Sequence, residues 1–165
     1  MKVFIAQPED FQSWLRLAAE VEYLFGPMVN EPGFHRALCK NIERETAFCI
    51  REDDGPAGVP LLGGLLFSPK PPIYTIGWLA VAQRIRRRGL GRLLLGHAAH
   101  LVHPPAEMVV TTFGPNSQYG QPARRFYESM GFHPAEPAPN GPEGSSRQIY
   151  RGMFSYSNPE KDIPV

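Results

Sequence analysis

Apolar residues recur at helical spacing in some stretches and in unbroken or alternating runs in others, so helices and strands interleave along the chain. Val3–Ala6 predicts a short first strand. Phe11, Trp14, Leu15, Ala18 and Val21 share one helical face and predict a helix from Glu9 to about Leu24, stopped by Gly26-Pro27. Pro32 opens a second helix to about Glu43, with Phe34, Leu38 and Ile42 on one side. Thr46–Arg51 and Leu61–Phe67 read as strands around a charged turn at residues 52–56, and Pro69, Pro71 and Pro72 are expected to stop the second. Ile73–Val81 is apolar on both alternating faces, Ile73, Leu79 and Val81 on one and Tyr74, Ile76, Trp78 and Ala80 on the other. That pattern predicts a central strand covered on both sides.

Further along, Leu90 to about Leu101 reads as a helix with Leu90, Leu94, Ala98 and Leu101 inward. Met108–Phe113 follows as a strand, Gln121–Met130 as a helix, and Gln148–Phe154 as a last strand. Pro134–Ser146, rich in Pro, Gly and Ser, reads as a loop, and residues 155–165 as a flexible C-terminal tail. The fold class is α/β (or α+β): one domain over residues 1–154, built on a mixed sheet of about six or seven strands with helices on both faces.

Composition narrows the class. The 165 residues are 42% hydrophobic and 20% charged, which is globular and not disordered. The two cysteines, Cys39 and Cys49, make no disulfide framework and fit a reducing compartment, and packing is the expected role of Cys39. The first ten residues hold no signal-peptide core, and no run of 18 apolar residues marks a membrane span, so a cytoplasmic protein is expected. Net charge is +1, unevenly spread. Residues 1–83 hold 7 Lys/Arg against 10 Asp/Glu, a balance of −3; residues 84–165 hold 10 against 6, a balance of +4. A near-neutral total argues against a general nucleic-acid binder, whereas one focused cationic spot suits a small polyanion.

That spot is Arg84-Ile85-Arg86-Arg87-Arg88-Gly89-Leu90-Gly91-Arg92, between an apolar strand and an amphipathic helix. Gly89 and Gly91 allow a sharp turn and close approach of a ligand to the backbone. The helix start presents unpaired N–H groups, and its dipole favours a phosphate. Arginines add charge-assisted hydrogen bonds. The physical reading is a pyrophosphate cradle. The third glycine of a dinucleotide fingerprint is missing, and the Gly-Lys-[Ser/Thr] of a P-loop is absent.

Arg86, Gly89 and Gly91 fill [Q/R]-x-x-G-x-[G/A], and Ala123, Phe126, Tyr127, Gly131 and Phe132 fill A-x-x-[LF]-Y-x-x-x-G-F. With the strand Trp78–Val81 directly before the loop and the same element order from Val3 to Phe154, the sequence resembles the GNAT superfamily of acetyl-CoA-dependent N-acetyltransferases. The resemblance implies a sheet splayed at the cofactor site. It implies an acetyltransferase that binds acetyl-CoA and transfers the acetyl group directly to a primary amine on a small molecule or a protein. The cofactor would lie against backbone groups of Leu79, Ala80 and Val81 and the loop Arg86, Arg87, Arg88, Gly89, Leu90, Gly91 and Arg92, with Phe126 beside it. Tyr127 would be the general acid for the thiolate; a packing role on its helix is the alternative. The general base is less defined. Glu20 and Glu22 close the first helix on the acceptor side, and Glu22 is the candidate, against a plain solvated helix end.

The chain departs from the family pattern in one place. Where the family often has Asn three residues before the motif alanine, this chain has Gly120; either Asn116 takes that role from a longer loop or the role is absent. Tyr23, Phe25 and Met28 are read as an apolar wall or as core. His97, His100 and His103 have metal-like spacing, but no acidic residue is near in sequence and Pro104 follows at once, so no metal is expected. Two other readings stand beside the enzyme: a non-catalytic acyl-CoA-binding module, and a nucleic-acid-binding domain using the arginines. No nucleic acid or membrane partner is expected. A homodimer through an edge strand near the C-terminus is open, as are the acceptor and the acyl chain length.

Overall fold

A computed structural model describes residues 1–155; the expected tail beyond Ser155 lies outside the described residues. The strands are β1 (Phe4–Ile5), β2 (Ala47–Arg51), β3 (Leu61–Lys70), β4 (Ile73–Val81), β5 (Ala106–Phe113), β6 (His133–Ala138) and β7 (Arg147–Phe154). The helices are α1 (Phe11–Ala19), α2 (Glu22–Phe25), α3 (Pro32–Glu43), α4 (Leu90–Ala99) and α5 (Gln121–Ser129). The fold is mixed α/β with seven strands, as the pattern predicts.

The described chain divides into two compact units, residues 1–68 with 77–98, and residues 69–76 with 99–155. In the first, β1, β2, β3 and the later half of β4 follow in order, with β1–β2 and β2–β3 antiparallel. Helices cover both faces of this part of the sheet. A β-carbon on Gly64 would stand 2.8 Å from the Trp14 ring of α1, and one on the adjacent Gly63 would stand 3.1 Å from Leu94 of α4. Neighbouring strand residues point to opposite faces, so α1 and α4 lie on opposite sides of β3. The glycines are what let both helices approach. Trp14, Leu17, Ala18, Leu38, Ile50, Leu65, Leu94 and Leu95 form the core.

At one end of this unit the Asp10 carboxylate is fully buried against Arg51, with Oδ2–Nη2 at 2.7 Å. It also accepts the N–H groups of Gln7 and Gly58 at 2.8 and 3.1 Å. Burial alone would raise the Asp10 pKa, but the Arg51 and backbone hydrogen bonds outweigh it and hold the group below its ordinary value.

In the second unit Ile73–Ile76 of β4 pairs in parallel with Glu107–Val110 of β5, and this ladder ends at Ile76. β5 pairs antiparallel with β7 and β7 with β6. α5 packs through Tyr127, whose ring sits 5.8 Å from that of Phe132 and 6.3 Å from that of Tyr150. On the surface of this sheet Arg151 binds both Glu107 and Glu136.

Several expectations need correction. The first helix stops at Ala19, because Val21 leaves helical geometry (φ −116°, ψ 6°), and α2 is a separate turn. β3 runs through Pro69 to Lys70. β4 has the predicted bounds, yet Ile73 and Gly77 are exposed and Thr75, Leu79 and Val81 only half-buried, so one face is partly open. α4 ends at Ala99, and Leu101 is exposed instead of facing inward. Part of the expected loop at Pro134–Ser146 belongs to β6. Cys39 is exposed; Cys49 is the buried one.

Candidate active site

The arginine-rich loop is held at both ends by apolar anchors. Ile85 in the turn after β4 and Leu90 at the start of α4 are buried, while every residue from Arg86 to Gly89 is exposed. Between the anchors the backbone visits the left-handed region twice, at Arg87 (φ 64°) and Gly89 (φ 82°). A β-carbon on Gly89 would meet nothing within 4 Å, so the glycine is there for its φ and not for space. Arg86 donates its N–H to Gln83 O at 3.5 Å, and Leu93 donates to Gly89 O at 3.0 Å. Between them the six N–H groups of residues 87–92 have no partner among the described residues. Consecutive free N–H groups at left-handed turns and a helix start form an anion-binding concavity. The side chains of Arg87, Arg88 and Arg92 are exposed and likewise unpaired among the described residues.

The other two arginines are engaged. Arg84 pairs with Glu52 at 3.1 Å. Arg86 turns back along the strand, Nε donating to Val81 O at 3.3 Å and Nη1 donating to Tyr23 Oη at 3.2 Å.

The segment from α1 to α3 meets this turn. Glu20 Oε1 accepts the Gln83 N–H at 3.3 Å. Glu22 folds its carboxylate over the turn that follows α2, Oε2 accepting Met28 N–H at 2.7 Å and Val29 N–H at 3.3 Å. It is therefore neither a bare solvated helix end nor wholly free, and Oε1 has no partner among the described residues. His35 Nε2 bonds Val29 O at 2.5 Å. Beneath, Leu24, Phe25, Val29, Phe34 and Trp78 pack on Ala18, Val21, Met28 and Ala80, so Phe25 and Met28 serve the core. Trp78 Nε1 points at Met28 Sδ, 3.2 Å away. Tyr23, in contrast, is half exposed. Its phenol is pushed below the ordinary value chiefly by the Arg86 hydrogen bond.

In the second unit Tyr127 is buried in an aromatic cluster, with Phe126 at 5.1 Å between ring centres. Its hydroxyl makes no hydrogen bond among the described residues, and burial raises its pKa above the ordinary value. A phenol in that state stays protonated at neutral pH and keeps a proton to donate. Asn116 is exposed in the loop before α5 and unbonded among the described residues. Gly120 is the N-cap of α5. Among the described residues no group of three His, Cys, Asp or Glu could hold a metal, and no helix is long and apolar enough to cross a membrane.

The family model described as "Acetyltransferase (GNAT) domain" matches residues 43–134, more than half of the chain. The chain belongs to the GNAT acetyltransferase family. The matched residues include β4, the arginine loop and α5 with Tyr127. By family this GNAT chain is an acyltransferase. A sequence search of the curated proteins gave no significant match. Solved structures share the fold across nearly the whole chain. The PaiA N-acetyltransferase from Thermoplasma acidophilum, in complex with coenzyme A, aligns with TM-score 0.73 at 14% identity, over 93% of this chain and 98% of that one. The ribosomal-protein-S18-alanine N-acetyltransferase from Escherichia coli aligns at 0.69 and 18%, covering 95% and 96%. Arabidopsis thaliana Naa50, in complex with the bisubstrate analogue CoA-Ac-MVNAL, aligns at 0.70 and 16%, covering 93% and 98%.

The loop residues expected from sequence lie together: Arg86 to Gly89 on an exposed turn, and Leu90, Gly91 and Arg92 at the start of α4, with Leu90 buried. Leu79, Ala80 and Val81 lie on the part of β4 past the end of its ladder with β5. The sequence reading missed the polar contacts of Glu20 and Tyr23 with the turn, because nothing local marks a hydrogen bond spanning 63 residues.

Proposed function

We propose that the protein transfers an acetyl group from acetyl-CoA to a primary amine, with residues 86–92 as the pyrophosphate site. The observation that carries this is the run of six N–H groups without a partner among the described residues, flanked by the exposed guanidiniums of Arg87, Arg88 and Arg92. Residues of that kind fit a pyrophosphate: the donors are backbone, the turn is open, and the charge is positive. When bound, acetyl-CoA supplies an activated thioester and a thiolate leaving group.

The chain's own residues then have distinct roles. Backbone N–H groups at Leu79–Val81 polarise the thioester carbonyl. Tyr127 donates its phenolic proton to the departing sulfur. The incoming ammonium loses its proton through water to Glu22. Phe126 and Asn116 would hold the cofactor arm. Holding amine and thioester in line supplies much of the rate.

The acceptor is a small-molecule or protein amine. The names of two structural relatives include a ribosomal-protein alanine and a CoA-peptide conjugate, which supports peptides in the screen. The −3 balance of residues 1–83 supports cationic amines beside them. The test is release of free CoA thiol from acetyl-CoA across a panel of polyamines, aminoglycoside-like amines and peptides with free amino termini. Amine-dependent release that falls about a hundredfold or more in Tyr127→Phe supports the reading. Binding of CoA without release for any amine leaves the non-catalytic module in its place.

A further inference from the structure

We propose that Tyr23 is a positioning residue, which holds Arg86 and so sets the phosphate-binding turn from the acceptor-side segment. The inference rests on the acetyl-CoA reading above and adds a residue that the sequence pattern does not mark.

Two tethers join α1–α2 to the turn after β4. Glu20 Oε1 accepts Gln83 N–H at 3.3 Å, and Tyr23 Oη accepts from Arg86 Nη1 at 3.2 Å. The Gln83 side chain also hydrogen-bonds Tyr23. Arg86 simultaneously donates Nε to Val81 O at 3.3 Å. A guanidinium is a rigid planar fork, so a guanidinium that serves two acceptors fixes them relative to each other. Here the two acceptors are the last residue of β4 and the side chain of α2. Arg86 is thereby a clip, whereas Arg87 and Arg88, its neighbours in the loop, are exposed and unpaired among the described residues.

The clip holds a short segment. α2 is a single turn, bounded by the break at Val21 and by Gly26 at φ 89°. Its C-terminal flank is tied to it by Glu22, whose carboxylate accepts Met28 and Val29 N–H. The segment is joined to the turn through Tyr23 and Glu20. A ligand that fixes the turn therefore steadies the acceptor segment, and by linkage an acceptor that fixes the segment tightens the turn.

The test is a double-mutant cycle on acetyl-CoA binding, read by calorimetry in wild type, Tyr23→Phe, Arg86→Gln and the double variant. Tyr23→Phe keeps the ring of a half-exposed side chain, and its melting point without ligand should stay within about 2–4 °C of wild type. Its Kd should rise about three- to tenfold, the effect of one lost hydrogen bond. In the Arg86→Gln background the same change should alter Kd clearly less, because the Arg86 partner is already gone and only the Gln83 contact is left. With an amine that turns over, Tyr23→Phe should raise the KM for acetyl-CoA and leave kcat at saturation within about twofold. An unchanged Kd in Tyr23→Phe, or additive effects in the cycle, would overturn the role of Tyr23. Failure of the wild type to bind acetyl-CoA would instead overturn the acetyl-CoA reading itself.

Discussion

Gly120 stands so close to Phe113 that a β-carbon at position 120 would run into the Phe113 side chain. This explains the chain's one departure from the family motif. Phe113 is buried at the end of β5 and its carbonyl accepts Arg124 Nη1 at 3.0 Å, so it has little room to yield. Gly120→Asn, which would restore the family residue, should therefore cost about 1–3 kcal/mol through overpacking. Chemical denaturation measures the loss, and acetyl-CoA affinity should not improve. The same crowding supports Asn116 as the candidate amide of this loop.

Gly64 makes a parallel case in the first unit. Its β-carbon would stand 2.8 Å from the fully buried Trp14 ring, whereas one on Gly77 would come no nearer than 3.7 Å to Leu66 O. Gly64→Ala should destabilise by about 1–3 kcal/mol, and Gly77→Ala by clearly less. Paired melts of the two variants check the ranking.

The Asp10–Arg51 pair is buried on both sides, so removing one partner leaves a charge without compensation. Asp10→Ala should cost about 3–5 kcal/mol. The pH dependence follows from the depressed pKa of Asp10. Its stabilising contribution is complete above its unfolded value of 3.8 and is lost as pH falls through the lower folded value. The melting difference between wild type and Asp10→Asn should be flat from neutral pH to about pH 5 and shrink below 3.8.

Tyr127→Phe separates chemistry from packing. The hydroxyl makes no hydrogen bond among the described residues, so folding stability should change by less than about 1 kcal/mol. Turnover should fall by about 10²–10⁴ if the phenol is the acid. Because burial raises its pKa above 10.0, the rate should show no alkaline limb from this group below that pH.

Legibility in the sequence followed locality. α3 and β4 have the predicted bounds, since Pro32 and the apolar run Ile73–Val81 signal them directly. β6 read as a loop because Pro134 and Pro137 suggest no strand. It lies at the sheet edge, next to β7 only, where a missing N–H costs no ladder bond, and its register shifts between those prolines. The α1–α2 break was hidden because Val21, fully buried, continues the helical apolar spacing while its backbone does not. In the candidate site the glycines and arginines of the loop were legible. The Tyr23–Arg86 clip was not, because it depends on where a turn 63 residues away returns, and the Glu22 cap was not, because it depends on how the chain folds back after α2.

The central claim is that residues 86–92 bind the pyrophosphate of acetyl-CoA, and a thermal melt with and without the ligand tests it most directly. At about a hundred times Kd, binding should raise the midpoint by about 5–10 °C. In Gly89→Glu, where a carboxylate sits at a backbone φ of 82° in the cradle, that rise should vanish. No shift of the wild type at about millimolar acetyl-CoA, or an undiminished shift in Gly89→Glu, would contradict the account.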